Sequence, residues 1–148
     1  ADLFNKKSKY SDPLTSFDWN RQNEALVGTA SLDTTCTIWD LNKEAIRTQL
    51  IAHDKQVLDI AFSQDENTFI SAGADGSIRL FDLRSLEHST ILYECKQGTP
   101  IIKLAWNKQN IDQISSISMN RSSVQIINIS STDKDDSNLN RGRISPKL

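Results

Sequence analysis

The chain has 148 residues, enough for one domain with a sizeable core, and its 17 Lys and Arg against 19 Asp and Glu leave a formal charge of −2. That balance argues against nucleic-acid binding driven by clustered phosphate contacts. No apolar run approaches the roughly 18 residues of a membrane span, and Ala1-Asp2-Leu3-Phe4-Asn5-Lys6-Lys7 has no signal-peptide apolar region. Cys36 and Cys95 lie too far apart for a CxxC site, and two His residues complete no zinc spacing. The expectation is a soluble, intracellular chain without disulfides, metal or other cofactor.

Residues 1–13, ending Lys9-Tyr10-Ser11-Asp12-Pro13, read as a polar lead-in. Leu14-Thr15-Ser16-Phe17-Asp18-Trp19-Asn20 then opens a pattern that returns twice, as Val57-Leu58-Asp59-Ile60-Ala61-Phe62-Ser63 and Ile101-Ile102-Lys103-Leu104-Ala105-Trp106-Asn107. Trp19, Phe62 and Trp106 are spaced by 43 and 44 residues. A second motif runs Thr37-Ile38-Trp39-Asp40-Leu41, Arg79-Leu80-Phe81-Asp82-Leu83 and Gln125-Ile126-Ile127-Asn128-Ile129, at spacings of 42 and 46. A period near 43 fits a four-stranded propeller blade, although helical HEAT repeats have similar lengths.

Composition decides for strands. Short β-branched and aromatic runs alternate with Ser, Thr, Gly, Asn and Asp clusters, such as Ala72-Gly73-Ala74-Asp75-Gly76-Ser77. The stretch Lys43 to Ala52 allows a short helix, but its counterpart His88 to Glu94 is strand-like, and repeats should agree. The expected fold is all-β, with three consecutive four-stranded blades at about 14–52, 53–94 and 95–129. The last is expected to be incomplete, its outer strand missing. Residues 130–148 contain three aliphatic side chains and no aromatic, too little burial to offset ordering, so they read as a disordered tail or a loop insertion.

The second unit carries His53, Ser71 and Asp75, a combination that invites a catalytic-triad reading. Thr29 and Asp33 repeat two of those positions in the first unit, which a unique active site does not require, and no nucleophile elbow surrounds Ser71. The five glycines form neither GxGxxG nor GxxxxGK. No catalysis, cofactor or small-molecule substrate is expected.

The period, the Trp39-Asp40 and Phe81-Asp82 pairs and Ala52-His53 resemble the WD-repeat β-propellers. Asp33-Thr34-Thr35-Cys36-Thr37-Ile38-Trp39-Asp40, Gln49-Leu50-Ile51-Ala52-His53-Asp54-Lys55, Leu86-Glu87-His88-Ser89-Thr90-Ile91 and Leu104-Ala105-Trp106-Asn107-Lys108-Gln109 narrow the resemblance. They are similar to the TRANSPARENT TESTA GLABRA anthocyanin-regulator subfamily and its animal counterpart that docks dual-specificity tyrosine-regulated kinases. The resemblance covers about residues 13 to 129, and about seven blades are expected of a family member.

The resemblance implies a structural hydrogen-bond network of His53, Ser71 and Asp75, with Thr29, Asp33 and Trp39 as its first-unit counterpart. Phe81 stands where a Trp is expected, Tyr10 or a neighbour where the first unit would carry its His, and Asn120 near the Asp position of the third. It also implies a non-catalytic scaffold, cytoplasmic and nuclear, that joins kinases or transcription regulators to partner proteins. The alternative is a substrate receptor of a cullin-RING ubiquitin ligase, docking its adaptor through Arg84, two places after the Asp. Asp12, Thr34, Lys55, Gln56, Gly76 and Arg121 are the expected contacts on the face that carries His53 and Asp75. With two blade faces uncovered, the segment alone is expected not to behave as a monodisperse monomer.

Overall fold

In a computed structural model, residues 2–3, 12–131 and 143–144 are described. Among the described residues, twelve strands form three antiparallel four-stranded sheets, each in simple sequential order. The first holds β1 (Leu14–Trp19), β2 (Leu26–Ser31), β3 (Thr35–Asp40) and β4 (Ala45–Ile51). The second holds β5 (Val57–Phe62), β6 (Thr68–Gly73), β7 (Ser77–Asp82) and β8 (Ser89–Glu94). The third holds β9 (Ile101–Trp106), β10 (Gln113–Ser118), β11 (Val124–Asn128) and β12 (Arg143–Ile144). The first strands stand side by side, β1 against β5 and β5 against β9. This is the expected all-β architecture, three consecutive four-stranded sheets standing side by side.

The turns are written in short polar side chains. After each first strand a side-chain oxygen accepts two backbone N–H groups of the following turn: Asn20 from Gln22 and Asn23, Asp65 from Asn67 and Thr68, Asn107 from Gln109 and Asn110. Between second and third strands the chain enters the left-handed region at Thr34, Gly76 and Asn120, with φ of 77°, 81° and 63°. At Gly76 a side chain is also barred by space, since a Cβ there would come within 2.9 Å of the Thr99 carbonyl.

Two apolar seams lie between the blades. Leu26, Ala30, Cys36 and Ile38 of the first blade pack with Val57, Ile60, Phe62, Phe69 and Phe81 of the second. Ala61, Ile70, Ala72, Ile78 and Leu92 pack with Ile101, Leu104 and Ile114 of the third. Polar bonds stitch the same seams. Asp18 accepts the Phe62 N–H at 2.7 Å, and Asp59, buried, accepts that of Leu104 at 2.7 Å as well as the Ser16 hydroxyl. Lys103 Nζ lies 3.5 Å from Asp59 Oδ1, the oxygen that takes the Ser16 hydroxyl, while Oδ2 takes the Leu104 N–H.

The repeats show what a preceding blade does to a first strand. Val57, Ile60 and Phe62 are 0, 3 and 2 % exposed, whereas their counterparts Leu14, Phe17 and Trp19 are 58, 69 and 52 % exposed.

One expectation needs correction. The third sheet does have a fourth strand, because Arg143 and Ile144 pair with Gln125 and Val124 of β11. The outer strand therefore lies within the stretch read as a polar tail or insertion, too short and too polar to register as a strand in sequence. Tyr10 and most of residues 130–148 lie outside the described residues.

Candidate functional site: a locked blade between two loop faces

His53 follows β4 and is buried against the second blade. Its Nδ1 lies 3.1 Å from both Asp75 carboxylate oxygens and 3.1 Å from Ser77 Oγ, and its Nε2 lies 2.7 Å from Ser71 Oγ. With the proton on Nδ1, the ring donates to Asp75 and accepts from the Ser71 hydroxyl. Asp75 is itself pinned by the Ser77 backbone N–H at 3.0 Å and the Ser77 hydroxyl at 2.8 Å. Arg79 Nη2 approaches it at 3.4 Å while bonding Asp54 at 2.9 Å.

Burial lowers the His53 pKa, and the adjacent Asp75 carboxylate only partly opposes it. Burial alone would raise Asp75, but the bonds from Ser77 and the imidazole together hold its carboxyl below the ordinary value. The ring is therefore favoured neutral beside an ionised carboxylate. Ser71, fully buried, is not open to a substrate from solvent. The cluster ties the β4–β5 connection to β6 and β7 and fixes the blade's geometry.

The first blade keeps a reduced form. Trp39 Nε1 donates to Thr29 Oγ1 at 2.9 Å, and Asp33 accepts the Thr35 N–H at 3.0 Å and its hydroxyl at 2.5 Å. The structure thus brings His53, Ser71 and Asp75 together and joins Trp39 to Thr29, whereas Asp33 bonds Ser31 and Thr35 in its own turn, apart from that pair. Ser77 was missed, although the Asp-x-Ser/Thr spacing of Asp75-Gly76-Ser77 and Asp33-Thr34-Thr35 carries its signal.

Gly73 was missed as well. A Cβ there would stand 2.5 Å from His53 Nδ1 and 2.7 Å from Asp75 Oδ1. Gly73→Ala is expected to destabilise the chain by about 1–3 kcal/mol through overpacking, read from its urea unfolding midpoint. An unchanged midpoint would mean that the imidazole yields freely.

The contact residues expected on this face divide. Asp12, Lys55 and Gln56 are exposed, while Thr34 and Arg121 are half-buried. Thr34 is also engaged through its carbonyl, which accepts the Ala52 and His53 N–H groups. Gly76 is buried under the Gly98–Thr99 turn, so as a contact site it is corrected: its missing side chain makes room for that turn. Cys95 enters the same turn. Burial works to raise its thiol, but hydrogen bonds from Thr99 and Gln97, with the nearby Arg121 charge, bring it down to about 7.

The opposite face carries the Asp82–Leu83–Arg84 turn. Arg84 Nε and Nη2 clasp the Asp82 carboxylate at 2.9 and 2.6 Å, and this pairing holds Asp82 at about 2. Most of the Arg84 side chain remains exposed. Nearby loops line an open polar cleft with Asn23, Glu24, Asn42 and Glu66. Among the described residues, no group of three His, Cys, Asp or Glu is placed to hold a metal ion.

The repeated sheets and the buried His–Ser–Asp lock define a WD-repeat blade, and the chain belongs to the WD domain, G-beta repeat family, whose pattern matches residues 5–40 and 44–82. The chain is 50 % identical over 127 residues to the DDB1- and CUL4-associated factor 7 homolog of Dictyostelium discoideum, covering 86 % of this chain and 39 % of that protein. It is 42 % identical over 140 residues to an uncharacterised WD repeat-containing protein of Schizosaccharomyces pombe, covering 83 % of this chain and 32 % of the relative. A WD repeat-containing protein of Saccharomyces cerevisiae is 54 % identical over 84 residues, covering 55 % of this chain and 16 % of the relative. The chain thus spans two-fifths or less of these relatives' lengths.

Proposed function

We propose that this chain forms part of a non-catalytic scaffold that brings kinases or transcription regulators to their partner proteins. The observation that carries the reading is the fate of the His53–Ser71–Asp75 cluster, which is consumed inside a blade as a strut. Accessible polar groups stand instead in loops at the two ends of the sheets, with Lys55, Gln56 and Asp12 at one end and Arg84 at the other. Rigid blades with mixed-charge loops favour partner choice and orientation over turnover. The segments that resemble the TRANSPARENT TESTA GLABRA subfamily and its kinase-docking animal counterpart support the same class of partner. Cytoplasmic and nuclear residence goes with such partners. The test is a pull-down with purified kinase of the dual-specificity tyrosine-regulated class. Retention that Lys55→Glu with Gln56→Glu abolishes supports the reading, and no retention at micromolar concentrations overturns it for this segment.

The second reading is a substrate receptor of a cullin-RING ubiquitin ligase. Two observations favour it: the name of the Dictyostelium relative, which associates that protein with DDB1 and CUL4, and the exposed, pre-oriented guanidinium of Arg84. Arg84→Ala is expected to leave the melting temperature unchanged, because exposed ion pairs contribute little. It should weaken binding of purified DDB1 about tenfold or more, corresponding to a lost charge-assisted contact. Equal binding by wild type and variant in calorimetry removes Arg84 from the docking role.

A further inference from the structure

Strand pairing aligns the three blades residue by residue. Thr29 opposite Phe17, Ser71 opposite Ile60 and Ser116 opposite Leu104 occupy one position of the second strand. All three are buried. Thr29 Oγ1 receives the Trp39 indole N–H, and Ser71 Oγ bonds His53 Nε2. Ser116, 1 % exposed, has no partner for its hydroxyl among the described residues.

Both partners used by the other blades have been lost. Ile127 faces Ile114 where Trp39 faces Val27, so the indole donor is gone. Gln97 precedes Ile101 by the four residues that separate His53 from Val57, but it is exposed. Ser123, half-buried in the turn before β11, likewise has its hydroxyl oxygen shut from solvent without a partner among the described residues. Among the described residues, β12 pairs with β11 through two residue pairs, whereas β4 joins β3 through six. The second blade holds the first strand of the third through the Asp59 carboxylate on the Leu104 N–H and the Lys103 ammonium, and the turn after it through Gln64 Nε2 on the Asn107 carbonyl at 3.1 Å, whereas β11 is reached by a long Gln125–Tyr93 contact of 3.4 Å.

We propose that the third blade is the labile joint of this arc, with β10 and β11 opening as a unit while the first two blades stay locked. A buried hydroxyl without a partner has given up its bonds to water for nothing, so it destabilises the closed blade and leaves the open one untouched. In the second blade the equivalent hydroxyl acts in the opposite sense. Opening draws Ile114 out of the apolar cluster it shares with Ala61, Ile70 and Ile78, while Ile101 and Leu104 of β9 stay in the seam that joins the blades.

The sign of one substitution tests this. Amide hydrogen exchange, followed by mass spectrometry on the whole chain at neutral pH, should run about tenfold faster across residues 113–128 than across 68–82. Ser116→Ala should slow exchange in 113–128 by roughly threefold to tenfold, since it deletes an unpaired group. Ser71→Ala should speed exchange in 68–82, since it breaks a pair. Equal protection of the two regions in the wild type overturns the proposal. So does a Ser116→Ala variant that exchanges as fast as the wild type or faster.

Discussion

His53→Ala is expected to lower the unfolding free energy by about 3 kcal/mol or more, from a cavity together with unpaired buried polar groups. The ring fills a buried site and touches Ser71, Ser77 and Asp75 at once, so its removal strands the Ser71 hydroxyl inside the blade and deprives Asp75 of a donor. The pH dependence carries the same signature. Because the folded His53 pKa lies below its ordinary value, the unfolded chain binds the proton more readily, and folded-state stability falls as pH drops below about 6.5. Asp75, held below its ordinary value, adds a loss only at much lower pH, as it is protonated. Urea unfolding at pH 7.5 and 5.5 should show a falling midpoint for the wild type and a nearly flat one for His53→Ala. Parallel slopes would show that His53 does not set the dependence.

Phe69→Ala is expected to cost about 3–5 kcal/mol, the range for emptying a buried aromatic site. Phe69 is fully buried, stacked on Phe81 with centroids 5.1 Å apart and edge-on to Phe62 at 5.9 Å. These rings stand in the seam with the first blade, so the loss should appear as early exposure of Trp39, followed by its fluorescence in denaturant. Phe69→Leu, which keeps most of the volume, should recover most of the stability. A Phe69→Ala midpoint within a few tenths of a molar of the wild type would mean that the seam collapses to fill the hole.

The blades were legible because each repeats a strand vocabulary at a fixed interval, and His53, Ser71 and Asp75 stood out as polar residues amid apolar runs. Asp59 did not. In sequence it is an ordinary polar position in an alternating strand, and only the packing of β5 against β9 puts its carboxylate on the Leu104 N–H. Gly73 and Gly76 read as turn glycines, whereas their structural duty is to leave space for a ring and for a neighbouring turn. The orphaned Ser116 was silent for a different reason: its identity matches its neighbours', and the fault lies in the partners that changed, Ile127 and Gln97. Arg143 and Ile144 escaped notice because two residues carry no periodicity, yet one neighbouring strand suffices to pair them.

Apart from the long Gln125–Tyr93 contact, the bonds that stitch one blade to the next span a narrow range of chain distance, from 42 residues for Thr15 to Val57 to 46 for Asn20 to Glu66. During synthesis, therefore, a blade need not wait for the far end of the polypeptide to meet its support. Its neighbour leaves the ribosome one repeat later, and the seam can close from the amino-terminal side while translation continues. The apolar strand left exposed in the interval is a single repeat's worth, a brief exposure that limits how much sticky surface a growing chain shows to other nascent chains.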